Sequence, residues 1–342
     1  MAEAKRVTLG HGAGGKLTHD LVQEVFLPRF RNAALEELGD SAVLSFKVGG
    51  RLAFTTDSFV VKPLFFPGGD IGKLAVNGTV NDLAVSGAEP LYLTAGFILE
   101  EGLEIEVLHR VAESMAVAAR EAGVEIVAAD TKVVERGKGD GVFINTAGVG
   151  RVLDGVELSP QRAQPGDKIL LTGTLGDHGI AVYLARQNLG IEVPVVSDCA
   201  PLNTMLLPLL RRFGKEVRFM RDLTRGGAAT ILNEFAAKAG REVLVSEEAI
   251  PVSPPVRGAC EMLGFDPLYL ANEGKALVVV SGDAAQDVLA LLQSHPLGAH
   301  AALVGEVREA GDEERPIVLL RTEVGGLRLV DPLIEDQLPR IC

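Results

Sequence analysis

Residues 55–90, TTDSFVVKPLFFPGGDIGKLAVNGTVNDLAVSGAEP, open inside a strand, pass through a helix and stop at the threshold of a second strand. Residues 51–61 (RLAFTTDSFVV) are rich in Phe, Thr and Val, the composition of a half-buried strand. Residues 71–86 form a helix ended by Gly87, and residues 91–99 resume strand composition. Working outward, residues 124–134 and 142–152 read as two further strands. Between them Ile105, Leu108, Val111, Ala112, Met115 and Ala119 recur at helical spacing, with Gly123 as the C-terminal cap. Strands alternating with helices predict a mixed α+β first half.

A turn-rich patch, Leu153–Asp167, separates this half from a second of similar style. There a strand is expected at 168–172, helices near 177–189, 203–213, 226–239 and 283–293, and strands near 276–281, 301–307 and 316–321. Asp283 is expected to cap its helix by accepting a bond from a free N–H of the first turn. The stretch Asp331–Cys342 carries two prolines and no periodicity, so it reads as an extended, mobile tail. A chain of 342 residues exceeds what one core usually organises. The division is therefore 1–153, 154–330 and a tail, 331–342.

The net charge of −13 argues against nucleic-acid and acidic-membrane partners, since both reward basic patches. It leaves room for a nucleotide, whose phosphates can be met by backbone N–H groups and a divalent ion. The start, Met1–Arg6, is not an apolar signal region, and no stretch approaches the roughly 20 apolar residues of a membrane span. Three widely spaced cysteines, Cys199, Cys260 and Cys342, give neither a disulfide framework nor a zinc pattern. A soluble, cytoplasmic protein is expected, with Cys199 and Cys260 as buried structural thiols.

Several segments carry chemistry. Residues 10–16, GHGAGGK, fit the first part of a P-loop, but Leu17 stands where a hydroxyl should meet magnesium. The segment is either a phosphate wrap built from backbone N–H groups or a flexible arm. Asp40, Asp57, Asp82 and Asp130 lie beside apolar runs, where carboxylates converging from several elements would suit a magnesium–phosphate site. Taken singly, each equally suits a cap or a turn. Arg221-Asp222-Leu223-Thr224-Arg225-Gly226-Gly227 precedes a helix and resembles an anion-binding start. Asn272-Glu273-Gly274-Lys275 sits between apolar runs, where charge is costly unless paired or used. Gly173-Thr174-Leu175-Gly176-Asp177-His178-Gly179 closes a strand and opens a helix, a place for a phosphate or adenine contact, although a lone histidine such as His178 is more often a cap. No histidine shows transition-metal spacing.

The final residues are Pro339-Arg340-Ile341-Cys342. As the last residue of this sequence, Cys342 is expected to carry a sulfur able to reach a distant pocket. Its own carboxylate raises the thiol pKa, Arg340 opposes this, and Pro339 stiffens the approach. It is not a prenylation box.

The segments HGAGGKL, the 55–90 stretch, GFILEEGL, ADTKVVERG, INTAGVG, TGTLGDHG, RDLTRGG, ANEGK, SHPLG and the terminal PRIC together resemble the HypE family of hydrogenase maturation proteins, in order along nearly the whole chain. The resemblance implies a PurM-like (AIR synthetase-like) fold in the ATP-binding superfamily of aminoimidazole ribonucleotide synthetase, selenophosphate synthetase and thiamine-phosphate kinase. It implies a ferredoxin-like N-terminal domain that binds ATP and dimerises, and a C-terminal α+β domain that completes the site. It further implies a homodimer in which the carbamoyltransferase HypF carbamoylates the terminal cysteine. The protein then uses ATP and Mg²⁺ to dehydrate the carbamoyl group to a thiocyanate, and the cyano group passes to the HypC–HypD iron-assembly complex.

On this reading Cys342 carries the substrate, Lys132 stabilises phosphoryl charge and Glu273 is the base. Asp40, Asp57, Asp82 and Asp130 supply the magnesium ligands. The nucleotide meets Gly12, Gly14, Gly15, Asp57, Asn81, Asp130, Thr131, Gly173, Asp177, His178, Asp222 and Arg225, and Asn77 is a secondary contact. Two rivals stand beside it: an ATP-dependent enzyme of the same superfamily acting on a free small molecule, and a non-catalytic docking protein.

Overall fold

The computed structural model describes residues 6–12, 16–36, 49–187, 194–310, 316–333, 338 and 341. Of the expected site residues, Gly14, Gly15, Asp40 and Cys342 lie outside them.

The first unit runs β1 (Leu52–Phe59), α1 (Ile71–Val85), β2 (Ala88–Glu100), α2 (Ile105–Ala122), β3 (Glu125–Val134) and β4 (Val142–Val152). Its sheet order is β1-β4-β2-β3, with β4 antiparallel to both neighbours and β2 parallel to β3. A four-stranded sheet with helices on one face is the expected layout. Its connectivity, βαβαββ, is not the ferredoxin-like βαββαβ. The β1–α1–β2 crossover leaves β1 and β2 apart, and β4 fills the gap between them.

Helix α1 is the pivot of the molecule. Asp70 caps it, its Oδ1 accepting the N–H groups of Gly72 at 2.7 Å and Lys73 at 3.1 Å. Within α1 only Lys73 and Asp82 escape full burial, because the sheet covers one side and the second unit the other. Helix α2 ends as its sequence predicts, with Gly123 at φ 70° as the left-handed cap.

The second unit runs β5 (Lys168–Leu171), α3 (Asp177–Gln187), α4 (Asn203–Phe213), β6 (Val217–Asp222), α5 (Gly227–Ala239), β7 (Glu242–Ser246), α6 (Pro254–Leu263), β8 (Ala276–Val280), α7 (Ala285–Gln293), β9 (Ala302–Arg308), β10 (Val318–Arg321) and β11 (Leu327–Leu329). The seven strands form one sheet, ordered β11-β10-β7-β9-β5-β8-β6 and antiparallel except for β10 with β7. One face packs on α5 and the other on α4 and α7, whose core also takes in Ala84 and Val85 of α1. Asp283 does not cap α7. A 3₁₀ turn, Gly282–Ala284, precedes that helix, and neither helical start uses a side-chain cap.

Of the tail, Leu338 and Ile341 are each 3% exposed and join the core with Ile180, Val256 and Leu270.

Candidate functional site

Strand β1 alternates, with Thr55, Asp57 and Phe59 facing α1 and Phe54, Thr56 and Ser58 facing away. The Thr55 hydroxyl donates to Asp82 Oδ2 of α1 at 2.6 Å, which fixes that face. Asp57 pairs with Thr146, a buried residue whose hydroxyl donates to the Ala75 carbonyl of α1 at 3.0 Å. One position away Asn145 pairs with Gly96, and Gly96 with Asp130. Directly paired residues share a face, so Asp130 and Lys132 lie on the open side of the sheet, opposite Asp57. There Lys132 Nζ sits 3.0 Å from both Asp130 oxygens, and both side chains are exposed. Thr131, between them, is buried on the other face.

The structure thus divides the expected magnesium ligands. Asp57 and Asp82 meet at the α1 face, Asp130 does not join them, and Asp40 lies outside the described residues. Asp222, at the end of β6, and Glu273, on the loop before β8, complete the α1-side group across the unit boundary. Among the described residues no three His, Cys, Asp or Glu side chains are gathered closely enough to hold a metal ion.

These acids are strained by burial. Burial raises Asp57 and Asp82 above the usual carboxylate range, with the Asp82 charge adding to Asp57 and the Ser58 N–H, Thr55 hydroxyl, Arg225 and Arg221 opposing. Asp222 is pushed up to about 7 by burial and then by Asp82, with Arg221 opposing. Glu273 is held well above the usual range by burial, then by the charges of Asp198, Asp222 and Asp57, with Arg225 opposing. Its Oε1 is buried without a hydrogen-bond partner. A neutral or unsatisfied carboxyl inside a protein is costly, and such groups concentrate where chemistry needs a proton moved.

The backbone around Glu273 is locked. Asp198 accepts the N–H groups of Glu273 at 3.1 Å (Oδ1) and Gly274 at 3.2 Å (Oδ2), and Lys275 Nζ lies 3.4 Å from Oδ2. A Cβ on Gly274 would stand 2.0 Å from the Asp198 carbonyl oxygen, so only glycine fits. The Asn81 amide donates to the carbonyls of Ala200 and Glu273, both at 3.1 Å, and its oxygen accepts the Leu202 N–H at 2.7 Å. Asn272 likewise ties Gly176, Leu223 and Leu270 together.

Four of the expected nucleotide contacts, Asn81, Gly173, Asp177 and His178, also have partners within the protein. Asn81 has no polar atom left. Gly173 packs under the Lys275 stem, which a Cβ would meet at 2.7 Å. Asp177 accepts the hydroxyls of Thr174 and Ser253. His178 is fully buried, with Nδ1 at 2.8 Å from Ser197 Oγ and Nε2 at 2.6 Å from the Ile341 carbonyl. Asn77 is buried against Cys199, its amide donating to Sγ at 3.5 Å. The buried thiols Cys199 and Cys260 agree with their sequence reading. Gly12 ends a 3₁₀ turn, Leu9–Gly12.

Asp198 and Ser197 escaped sequence reading, because they sit in an irregular segment whose only cue was the neighbouring Cys199. Beside the acids a cleft of ≈ 470 Å³ opens between the units, lined by Thr55, Asp82 and Ser86 on one side and Phe219 and Arg221 on the other. Its volume is in the range of small-ligand sites.

The chain matches the family models "AIR synthase related protein, N-terminal domain" over residues 38–152 and "AIR synthase related protein, C-terminal domain" over residues 164–317. It is 51% identical to the carbamoyl dehydratase HypE of Cupriavidus necator, over 98% of this chain and 95% of that one. Among solved structures, a hydrogenase maturation protein HypE in complex with ATP superposes with a TM-score of 0.93 at 48% identity, covering 98% and 99% of the two chains. A chain of a HypE–HypF complex superposes with a TM-score of 0.80 at 46% identity, covering 93% of this chain and 100% of that one. The chain belongs to the HypE family of carbamoyl dehydratases, within the AIR synthase related proteins.

Proposed function

We propose that the protein is an ATP-dependent carbamoyl dehydratase of [NiFe]-hydrogenase maturation, which converts an S-carbamoyl group on Cys342 into a thiocyanate. The observation that carries this reading is Glu273: a buried carboxyl with an unpartnered oxygen and a raised pKa, on a loop held rigid from both sides. Such a group is built to take a proton from a weakly acidic N–H inside a water-poor site.

The chemistry balances as follows. The carbamoyl oxygen attacks the γ-phosphorus of ATP, ADP leaves, and one N–H proton is lost. The C–O bond then breaks with the oxygen departing in phosphate, the second N–H proton leaves, and the C≡N bond closes. Glu273 accepts an N–H proton, and Arg225, whose charge reaches Glu273 and Asp57, stabilises negative charge developing between them. The cleft beside Asp82 and Arg221 receives the nucleotide, with Gly12, Gly14 and Gly15 as contacts to its phosphates.

Asp57 and Asp82 fit a magnesium ion, since both are hard oxygen donors whose buried charge needs a counter-ion, and such an ion takes its remaining ligands from phosphate and water. When bound it supplies charge neutralisation on the phosphates.

Leu52, Phe54 and Ile98 are 44%, 75% and 44% exposed on the open face of the first sheet, and this supports a homodimer through that face. Lys132 and Asp130 then act at the subunit junction, and Lys132 meets phosphoryl charge only in the dimer. Residues 1–153 bind ATP and dimerise, 154–330 complete the site, and 331–342 deliver Cys342. The carbamoyl donor is HypF, supported by the HypE–HypF complex formed by a relative, and the cyano group passes to HypC–HypD in the cytoplasm. No helix among the described residues is long and apolar enough to cross a membrane.

The test is the intact mass of the chain carrying carbamoylated Cys342 after addition of ATP. Loss of one water, absent in Cys342→Ala, is the expected result. Phosphate release with an unchanged tail mass would favour a small-molecule enzyme of the same superfamily.

A further inference from the structure

His178 lies outside the acid cluster, and its two ring nitrogens bond Ser197 and the Ile341 carbonyl. It is 0% exposed, its ring meets the edge of Phe66 at 5.4 Å and 83°, and each ring nitrogen has one partner. The partner of Nε2 is the backbone carbonyl of Ile341, the residue before Cys342. A carbonyl only accepts, so Nε2 carries the proton and donates. Burial holds the imidazole below its usual pKa, in the neutral form. Nδ1 is therefore an acceptor of the hydrogen bond that the Ser197 hydroxyl donates, while Ser197 Oγ itself accepts the Cys199 N–H at 3.2 Å. Every atom of this relay is satisfied, and only one tautomer satisfies it.

The relay leads back to the site. Ser197 is followed by Asp198, whose carboxylate holds the backbone of Glu273 and Gly274, and then by Cys199, which takes the Asn77 amide. Three consecutive residues thus bind the tail anchor, the loop of the candidate base and helix α1. The tail meets them with two apolar side chains: Leu338 packs beside Gly179, where an added Cβ would touch its Cδ1 at 3.4 Å, and Ile341 is buried in the same core. Apolar burial gives affinity without direction. The imidazole–carbonyl bond supplies the direction, at the last peptide before the reacting sulfur.

We propose that His178 is a positioning residue of the dehydration: its Nε2–H, oriented by Ser197, holds the Ile341 carbonyl and so fixes the point from which Cys342 presents its carbamoyl group to Glu273. The inference rests on the reading of Cys342 as substrate carrier. It adds a tail seat whose loss slows chemistry without touching the nucleotide.

The test uses the full-length chain carrying carbamoylated Cys342, saturating ATP and magnesium, with single-turnover water loss followed by intact mass. His178→Ala is expected to slow water loss by about tenfold, the factor of one net buried hydrogen bond. His178→Gln, which keeps an N–H donor at similar reach, is expected to recover most of that loss, and Ser197→Ala to fall between the two. ATP affinity stays at the wild-type value in all three, and the uncarbamoylated Cys342 thiol reacts faster with maleimide in His178→Ala and Ser197→Ala. Should His178→Ala fail to fold, Ser197→Ala and His178→Gln carry the comparison. Water loss and thiol reactivity at wild-type values in the folded variants would overturn the proposal, as would a parallel loss of ATP affinity, which marks a merely structural histidine. If wild type loses no water, it is the dehydratase reading that fails, an outcome visible before any variant is made.

Discussion

Two groups of acids lie on opposite sides of one four-stranded sheet, and their environments could hardly differ more. On the α1 side, Asp57, Asp82, Asp222 and Glu273 are drawn out of water, raise each other's pKa and lack enough cations, with Glu273 keeping an orphaned oxygen. On the open side, Asp130 forms a bidentate pair with Lys132, and 72% and 64% of the two side chains stay exposed. The first group stores electrostatic free energy that a metal, a phosphate or a proton can release. The second is already neutralised and costs nothing to keep. An acidic residue in sequence is ambiguous between these states, and burial decides it.

The contrast can be broken by substitution. The largest effect is expected from Cys342→Ala, which removes the carrier: no cyano product forms, while ATP binding measured by calorimetry is unchanged. Next comes Glu273→Gln, where single-turnover water loss should fall by about 10²–10⁴-fold, the range for removing a general base. Lys132→Ala sharpens the other half of the comparison. Its stability should change by less than about 1 kcal/mol because the pair is exposed. Its dehydration rate should nevertheless fall, and if the open face dimerises as proposed, Phe54→Asp should reproduce the fall and sediment as a monomer where the wild type sediments as a dimer. A Lys132→Ala protein that dehydrates normally would remove that residue from the mechanism.

The smallest expected effect is on stability. Folding raises the Asp222 pKa from 3.8 to about 7, so the folded state binds the proton more tightly than the unfolded chain. The stability linked to that proton is full below the unfolded pKa and is lost as pH rises through the folded value of about 7. Asp222→Asn should therefore flatten this decline in the nucleotide-free protein and leave it more stable above pH 7 by at most about 4 kcal/mol, read from denaturant midpoints. A variant as pH-sensitive as wild type would place the strain elsewhere in the cluster.

Much of the fold was legible because local signals were strong. Helix α2 carries a clean 3.6 period and a glycine cap, and β4 spans the 142–152 stretch read from composition alone. β6, β7 and α6 were not read. β6 and β7 are short, and their register comes from neighbours in the seven-stranded sheet rather than from their own sequence. The side of the sheet on which Asp130 stands depends on pairing through β4 and β2, which no local pattern encodes. Asn81 and His178 read as ligand contacts because polar residues beside glycines suit phosphates. What the sequence does not show is that their side chains bond backbone groups brought from more than a hundred residues away. Glu273 was recognised as a charge between apolar runs, but Asp198, which holds its loop, sits in irregular chain and gave no pattern to find.

The most direct measurement is single-turnover mass spectrometry of the Glu273→Gln protein carrying carbamoylated Cys342, with ATP and magnesium at saturation. If the buried acid cluster is where the tail-borne amide is dehydrated, the carbamoyl adduct persists unchanged while ATP still binds. Loss of one water at the wild-type rate would contradict it.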